Sequence, residues 1–197
     1  MSARFTRAER ASNRPREFIL KEPPQRRRSI TSRRPSAGKG RKIFKIKSRS
    51  PAETKKIAGR LGRRLGPGDV VTLQGELGAG KTTFAKGLAK ALGVRSENEV
   101  SSPTFVIIHE YEARHQIAGG QARMPIYHLD WYRLVHVEGA DRELAEECLD
   151  GRAVTFIEWP ERGKELLPDR RIEVHLAHAG DSTREIEIRA LGKKLEL

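Results

Sequence analysis

Gly75-Glu76-Leu77-Gly78-Ala79-Gly80-Lys81-Thr82 fits the pattern G-x-x-x-x-G-K-[ST] at every fixed position. Each residue type has a physical reason to be there. The glycines let successive backbone N–H groups turn inward around phosphate oxygens without a Cβ clash. Lys81 supplies a point charge for β- and γ-phosphates, and the Thr82 hydroxyl is a ligand type for Mg²⁺. A helix starting here points its positive dipole end at the same anion. The implied chemistry is nucleotide phosphate binding with a divalent cation.

Such a site needs a carboxylate at the end of a neighbouring strand to hold the metal. Two are present: Asp130 closes the short run 126–130, and Glu158 closes the apolar run Val154–Glu158. Carboxyl ends of strands in an α/β sheet face the ligand crevice. For either acid alone a surface position reads equally well; two of them beside a phosphate loop favour function. Trp159 either stacks on a base or ribose or packs inside, and residue type alone leans to packing. The loop Ser101-Ser102-Pro103-Thr104-Phe105 sits where nucleotide-sensing switch loops lie, or is a plain turn before a strand at 105–111. His128 has a polar slot beside Asp130 and reads as a local hydrogen bond rather than a catalyst. The six histidines show no metal-ligand spacing, with His175 and His178 on opposite faces of one strand. Cys148 has no activating neighbour, and no nucleophilic triad is suggested.

The elements that must position these groups follow from patterning. Val70–Gln74 reads as a buried strand leading into the loop. Residues 83–92 read as a helix with Phe84, Leu88 and Leu92 on one face and Gly93 as its stop. Ile43 to Ile46 read as a strand. Ser50-Pro51-Ala52-Glu53 then reads as a helix start with a capping box. Ile57, Ala58, Leu61 and Leu65 continue that helix to a stop at Gly66-Pro67-Gly68. Residues 113–124 read as a polar loop, longer than usual, between two strands. Two alternating runs, 171–177 and 184–190, flank Gly180-Asp181 as a C-terminal β-hairpin.

The charge is uneven. The chain has 197 residues and a formal net charge of +13. Residues 1–50 hold 17 Lys/Arg and 3 Asp/Glu, and the remainder hold 22 and 23. A near-neutral domain at 42–197 therefore follows a basic extension at 1–41, whose composition predicts disorder. That arm is open to three readings: a solvated extension, a tether for RNA phosphates, or an organelle transit segment. One cysteine excludes a disulfide scaffold and a Cys-rich zinc module, and fits a reducing, cytoplasmic setting. No apolar run is long enough to span a bilayer, and no apolar stretch of secretory type opens the chain.

Taken together, 75–83 (GELGAGKTT), 102–105 (SPTF), 127–134 (YHLDWYRL) and 157–162 (IEWPER) resemble the TsaE (YjeE) family. The resemblance covers about 42–190. The phosphate loop is generic, but HxDxYR followed by IEWxER is not shared with the common small kinases. The resemblance implies an α/β P-loop sheet flanked by helices that binds ATP or ADP with Mg²⁺ and hydrolyses ATP weakly. It also implies action with the TsaD–TsaB pair, which transfers a threonylcarbamoyl group to an adenosine in tRNA. By motif, the loop residues Gly75, Leu77, Gly78, Ala79, Gly80, Lys81 and Thr82 line the phosphates, with Thr83 against them. Thr82, Asp130 and Glu158 hold the metal, with Lys81, Asp130 and Glu158 as the reactive set. Trp159 lies near the nucleotide, and the segment around Ser50-Pro51 approaches the adenine. The basic arm and the long 113–124 segment depart from the family pattern.

Two other classes remain. A small P-loop kinase would need an acceptor pocket and an Arg-bearing lid; the C-terminal hairpin takes that place. An RNA-binding protein would rely on the arm, since the folded part is near neutral and has no RNP-type aromatic motif.

Overall fold

The computed structural model describes residues 16–17, 43–95, 100–103, 107–117 and 120–197. Its elements are β1 (Arg16–Glu17), β2 (Ile43–Ser48), α1 (Pro51–Gly62), β3 (Val70–Gln74), α2 (Lys81–Ala91), β4 (Ile108–Ile117), β5 (Gly120–Asp130), α3 (Gly139–Cys148), β6 (Val154–Glu158), a 3₁₀ segment Pro160–Leu166, β7 (Arg171–His178) and β8 (Arg184–Leu191). Seven strands form one mixed sheet in the order β4-β5-β6-β3-β7-β8-β2, and the two-residue β1 lies beyond β4.

Direction in this sheet decides where the site lies. β5, β6, β3 and β7 are mutually parallel. β8 is antiparallel to β7, and β2 is antiparallel to β8, so β2 again runs with the centre. Five strands therefore end at the same edge, with Asp130, Glu158, Gln74, His178 and Ser48 at their carboxyl ends. Pro51 starts α1 from that edge too. The central strands are buried on both faces, which is why they are runs of apolar and β-branched residues.

Two cores result. Val71, Leu73, Phe156, Ile172 and Val174 meet Phe84, Leu88 and Leu61 of the α1/α2 layer. On the other face, Val70, Leu129 and Ile157 meet Trp131, Ala145 and Cys148. Beyond the second core, β7, β8 and β2 turn a charged face outward, where Lys45 pairs with Glu187 at 3.5 Å. Asp69, ahead of β3, accepts both the Gly66 N–H and the Lys193 ammonium, each within 3.0 Å. That contact ties the C-terminal segment to the turn that feeds the phosphate loop.

Helix ends follow local chemistry with two departures. Ser50 caps α1 by accepting the Glu53 N–H at 3.1 Å, but the Glu53 carboxylate accepts from Arg49 rather than from Ser50, so the reciprocal bond is displaced by one residue. α1 also ends at Gly62, before the expected stop at Gly66. Arg64 and Leu65 bond to the carbonyls of Leu61 and Gly62, a tightened last turn that keeps Leu65 buried outside the helix. α2 ends as expected: Gly93, at φ 97°, bonds to Lys90 and Val94 bonds to Ala89, the paired contacts of a Schellman stop.

The segment 113–124 is not a loop. β4 and β5 continue through it as a two-stranded ribbon, from Ala113↔Met124 to Ile117↔Gly120, and 118–119 lie outside the described residues. An antiparallel ladder is held by backbone hydrogen bonds, which polar residues supply as well as apolar ones, so composition misled here. The expected start of that strand at 105 lies partly outside the described residues. In the arm, expected to lack structure, Arg16 and Glu17 pair with Glu110 and His109 of β4; residues 1–15 and 18–42 lie outside the described residues. No helix among the described residues is long and apolar enough to cross a membrane.

α1 and α2 approach closely through glycine. A Cβ on Gly87 would sit 2.5 Å from the Lys55 carbonyl oxygen and 2.7 Å from the Ala58 Cβ. Gly87→Ala is expected to cost about 1–3 kcal/mol of stability. Urea unfolding should show a lower midpoint at an unchanged slope; an unchanged midpoint would mean the helices separate freely.

Candidate functional site

The strand β3 leads into a loop whose shape only glycine permits. Gly75 takes φ 140°, and a Cβ there would lie 2.2 Å from the Leu176 carbonyl oxygen of β7. Gly78 and Gly80 take φ 76° and 101°, and Gly80 caps α2 from the left-handed region. Leu77 is the exposed tip and Ala79 is buried. Lys81 and Thr82 are therefore the first two residues of α2, at its positive end.

Lys81 is 5% exposed. Its ammonium donates to the carbonyls of Gly75 (2.7 Å) and Glu76 (2.9 Å) and lies 3.9 Å from the centre of the Trp159 ring. Burial pushes this amine below the usual lysine range, while Glu158, Asp130 and Glu161 pull it back upward.

The two expected acids lie side by side. Register pairs Asp130 with Glu158 and Glu158 with Leu73, so one strand step separates each from the next and β3 is next door. Both are nearly fully buried. The Thr82 hydroxyl donates to Glu158 at 3.0 Å. Asp130 accepts the Tyr132 N–H at 2.9 Å and the Ser102 hydroxyl. The fold thus brings Lys81, Thr82, Asp130 and Glu158 together from α2, β5 and β6, and Ser102 joins them from the hydroxyl-rich loop. Thr104 and Phe105 of that loop lie outside the described residues. Thr83 is half-buried in the first turn of α2, and Pro51 is exposed at the same sheet edge.

Trp159 packs, as its residue type leaned. It packs on Tyr132, ring centres 4.9 Å apart, and it faces Lys81. Its backbone sits at φ 58° and ψ 49°, a left-handed conformation costing roughly 1–3 kcal/mol for a bulky residue. Strain of this kind is held by the surrounding structure, here by Pro160, which starts the 3₁₀ segment, and by the Trp159 N–H on Leu73. A cleft of 560 Å³ opens beside the loop, lined by Gly75, Glu76, Trp159, Lys164, His175 and His178 among others.

Two contacts were not legible in the sequence. His128 is fully buried, and its Nε2 meets Glu158 at 3.0 Å; the hydrogen bond expected to be local is made instead to a residue 30 positions away. Alternation along β5 and the neighbouring register of β6 could have suggested it. Arg184, at the start of β8, donates to the carbonyls of Ala79 (3.2 Å) and Gly78 (3.3 Å) and, through its other nitrogen, to the hairpin carbonyls of Gly180, Asp181 and Thr183. A trans peptide points its N–H opposite to its C=O, so the Ala79 contact turns the Gly80 N–H away from Arg184. Nothing in the local sequence links residues 105 positions apart.

The donors are all oxygens: one hydroxyl and two carboxylates. That set suits a hard divalent cation. Among the described residues no group of three or more His, Cys, Asp or Glu side chains is assembled to enclose a metal. A cation here would take its other ligands from phosphate and water, the usual mode for Mg²⁺.

Comparison with known proteins agrees with the motifs. The family model for threonylcarbamoyl adenosine biosynthesis protein TsaE matches residues 48–186. A Bacillus subtilis protein named tRNA threonylcarbamoyladenosine biosynthesis protein TsaE is 41% identical over 156 residues, covering 79% of this chain and 91% of that one. A protein of the same name from Treponema pallidum is 40% identical over 72% of this chain and 96% of its own length. Among solved structures, Bacillus subtilis YdiB superposes with a TM-score of 0.58 at 37% identity, over 79% of this chain and 90% of that one.

Cys148 is outside this constellation. Burial, with Glu147, Glu110 and Asp150 adding to it, pushes its thiol up to about 12. At pH 8 the thiolate is then on the order of one molecule in ten thousand. A thiol-reactive dye at pH 8 should leave the native protein unlabelled and label it after denaturation; fast native labelling would show an accessible, activated thiol.

Proposed function

The chain belongs to the TsaE family, and on that premise we propose that it is the Mg²⁺-dependent ATPase of tRNA threonylcarbamoyladenosine biosynthesis. The family's role in that biosynthesis is established by the match over most of the chain. One observation carries it: the Thr82 hydroxyl and the Glu158 and Asp130 carboxylates converge beside Lys81 at the amino end of a helix.

Each group has a task in that reading. Lys81 exchanges two carbonyl partners for phosphate oxygens, a charge-assisted contact stronger than a neutral one. The loop amides and the end of α2 hold the remaining phosphate charge. Thr82 spends its hydrogen on Glu158, which leaves its lone pairs free for a cation. Asp130, oriented by Tyr132 and Ser102, would hold the cation through water. Mg²⁺, when bound, would neutralise phosphate charge. Trp159 covers Lys81 and gives the nucleotide an aromatic wall, and the edge at Pro51 receives the adenine. Hydrolysis supports turnover of a TsaD–TsaB pair, which performs the group transfer on tRNA. The basic arm supports direct contact with tRNA phosphates as well.

A kinase reading finds less support. Arg184 touches the loop, and its nitrogens are taken up by backbone carbonyls. It is a brace rather than a lid.

Hydrolysis should be slow for the protein alone, rise with a purified TsaD–TsaB pair, and vanish with EDTA. Lys81→Ala and Glu158→Ala should each lower it roughly 100-fold or more. Full activity in either variant at saturating Mg-ATP would reject the assigned role. An unchanged rate with the pair would leave an ATPase with another client.

A further inference from the structure

We propose that His128 is a positioning residue for Glu158, holding that carboxylate where it can receive the metal. The inference rests on the ATPase reading and adds a residue to it.

The observation is geometric. His128 is fully buried in β5, and its Nε2 lies 3.0 Å from Oε1 of Glu158, at the end of the adjacent strand β6. An ionised carboxylate only accepts, so Nε2 carries the hydrogen. The same Oε1 takes the closer contact from Thr82, at 3.0 Å against 3.3 Å to Oε2. Two donors from two different elements thus fasten one oxygen and leave the other less engaged. In the ATPase reading the Thr82 oxygen also turns its lone pairs to the cation, whereas His128 has no other task there, so it is the donor that fixes the carboxylate as that ligand set forms. Metal sites commonly depend on such outer partners to orient the inner ligand.

The rest of the His128 environment argues against a packing role. Its ring meets Phe156 edge-on at 6.3 Å, and its Nδ1 is buried without a hydrogen-bond partner among the described residues. Burying an unpartnered polar atom is unfavourable, and an apolar residue would fill this strand position better. The gain that offsets it is the contact made by Nε2.

Three variants test the idea. His128→Gln places an amide N–H where Nε2 stands. His128→Asn is too short to reach, and His128→Leu removes the donor. ADP affinity is measured with the full chain by the change in tryptophan fluorescence, first in EDTA and then across a Mg²⁺ titration, with thermal melts as the fold check. Leu and Asn should raise the Mg²⁺ concentration for half-maximal effect about 10-fold or more, leave the Mg²⁺-free affinity unchanged, and lower ATP hydrolysis in step. Gln should restore the wild-type Mg²⁺ response. Should the Leu variant not fold, the Gln–Asn pair decides alone. A wild-type Mg²⁺ response in Leu or Asn, or an equal loss in Gln and Asn, would overturn the positioning role while the ATPase reading stands. Absence of any Mg²⁺ dependence in the wild-type protein would remove both.

Discussion

Burying the Glu158 carboxylate is the constraint on which the site depends. A charge taken out of water is costly unless hydrogen bonds and an opposite charge replace the solvent. Here the replacements come from three residues on two elements: the Thr82 hydroxyl and the Lys81 charge from the first turn of α2, and His128 from β5. None of the three can move far without exposing or orphaning the acid. The parallel register of β5, β6 and β3 is therefore more than a way to fill a core. It sets the acid, its two donors and the phosphate loop at one sheet edge.

The loop itself is held from outside. Gly75 passes so close to β7 that no side chain fits, and Arg184 reaches from β8 to two loop carbonyls. The C-terminal hairpin thus braces the phosphate loop from behind, while the α1/α2 crossing fixes the helix that continues it. Both approaches use glycine at the point of contact, for different reasons. Gly75 needs its φ as well as the space, whereas Gly87 is helical and needs only the space. Trp159 adds a strained residue to this frame, at the place where an aromatic ring overhangs the lysine.

Much of this was readable before any coordinates. The phosphate loop, β3, α2 and its Gly93 stop, the acid-terminated strands and the C-terminal hairpin all have local signatures, and family motifs joined them into one assignment. The misreadings have particular causes. The 113–124 segment looked like a loop because its residues are polar, yet a ribbon needs only backbone partners. α1 stopped a turn early because a tightened end buried Leu65 without helical continuation. His128 read as making a local hydrogen bond, whereas its partner Glu158 stands on another strand.

The sequence by itself determined which residues are able to bind phosphate and a hard cation, since hydroxyl, ammonium and carboxylate chemistry travels with residue type, and a strand–loop–helix of this spacing forms from local preferences. Only the tertiary structure decided which of those groups meet. Strand order put β5 and β6 beside β3, and register put Asp130 opposite Glu158. Crossing of the chain brought Arg184 to the loop and His128 to the acid. Such pairings depend on strand neighbours and on long-range packing, which are properties of the whole sheet and leave no mark on a local stretch of residues.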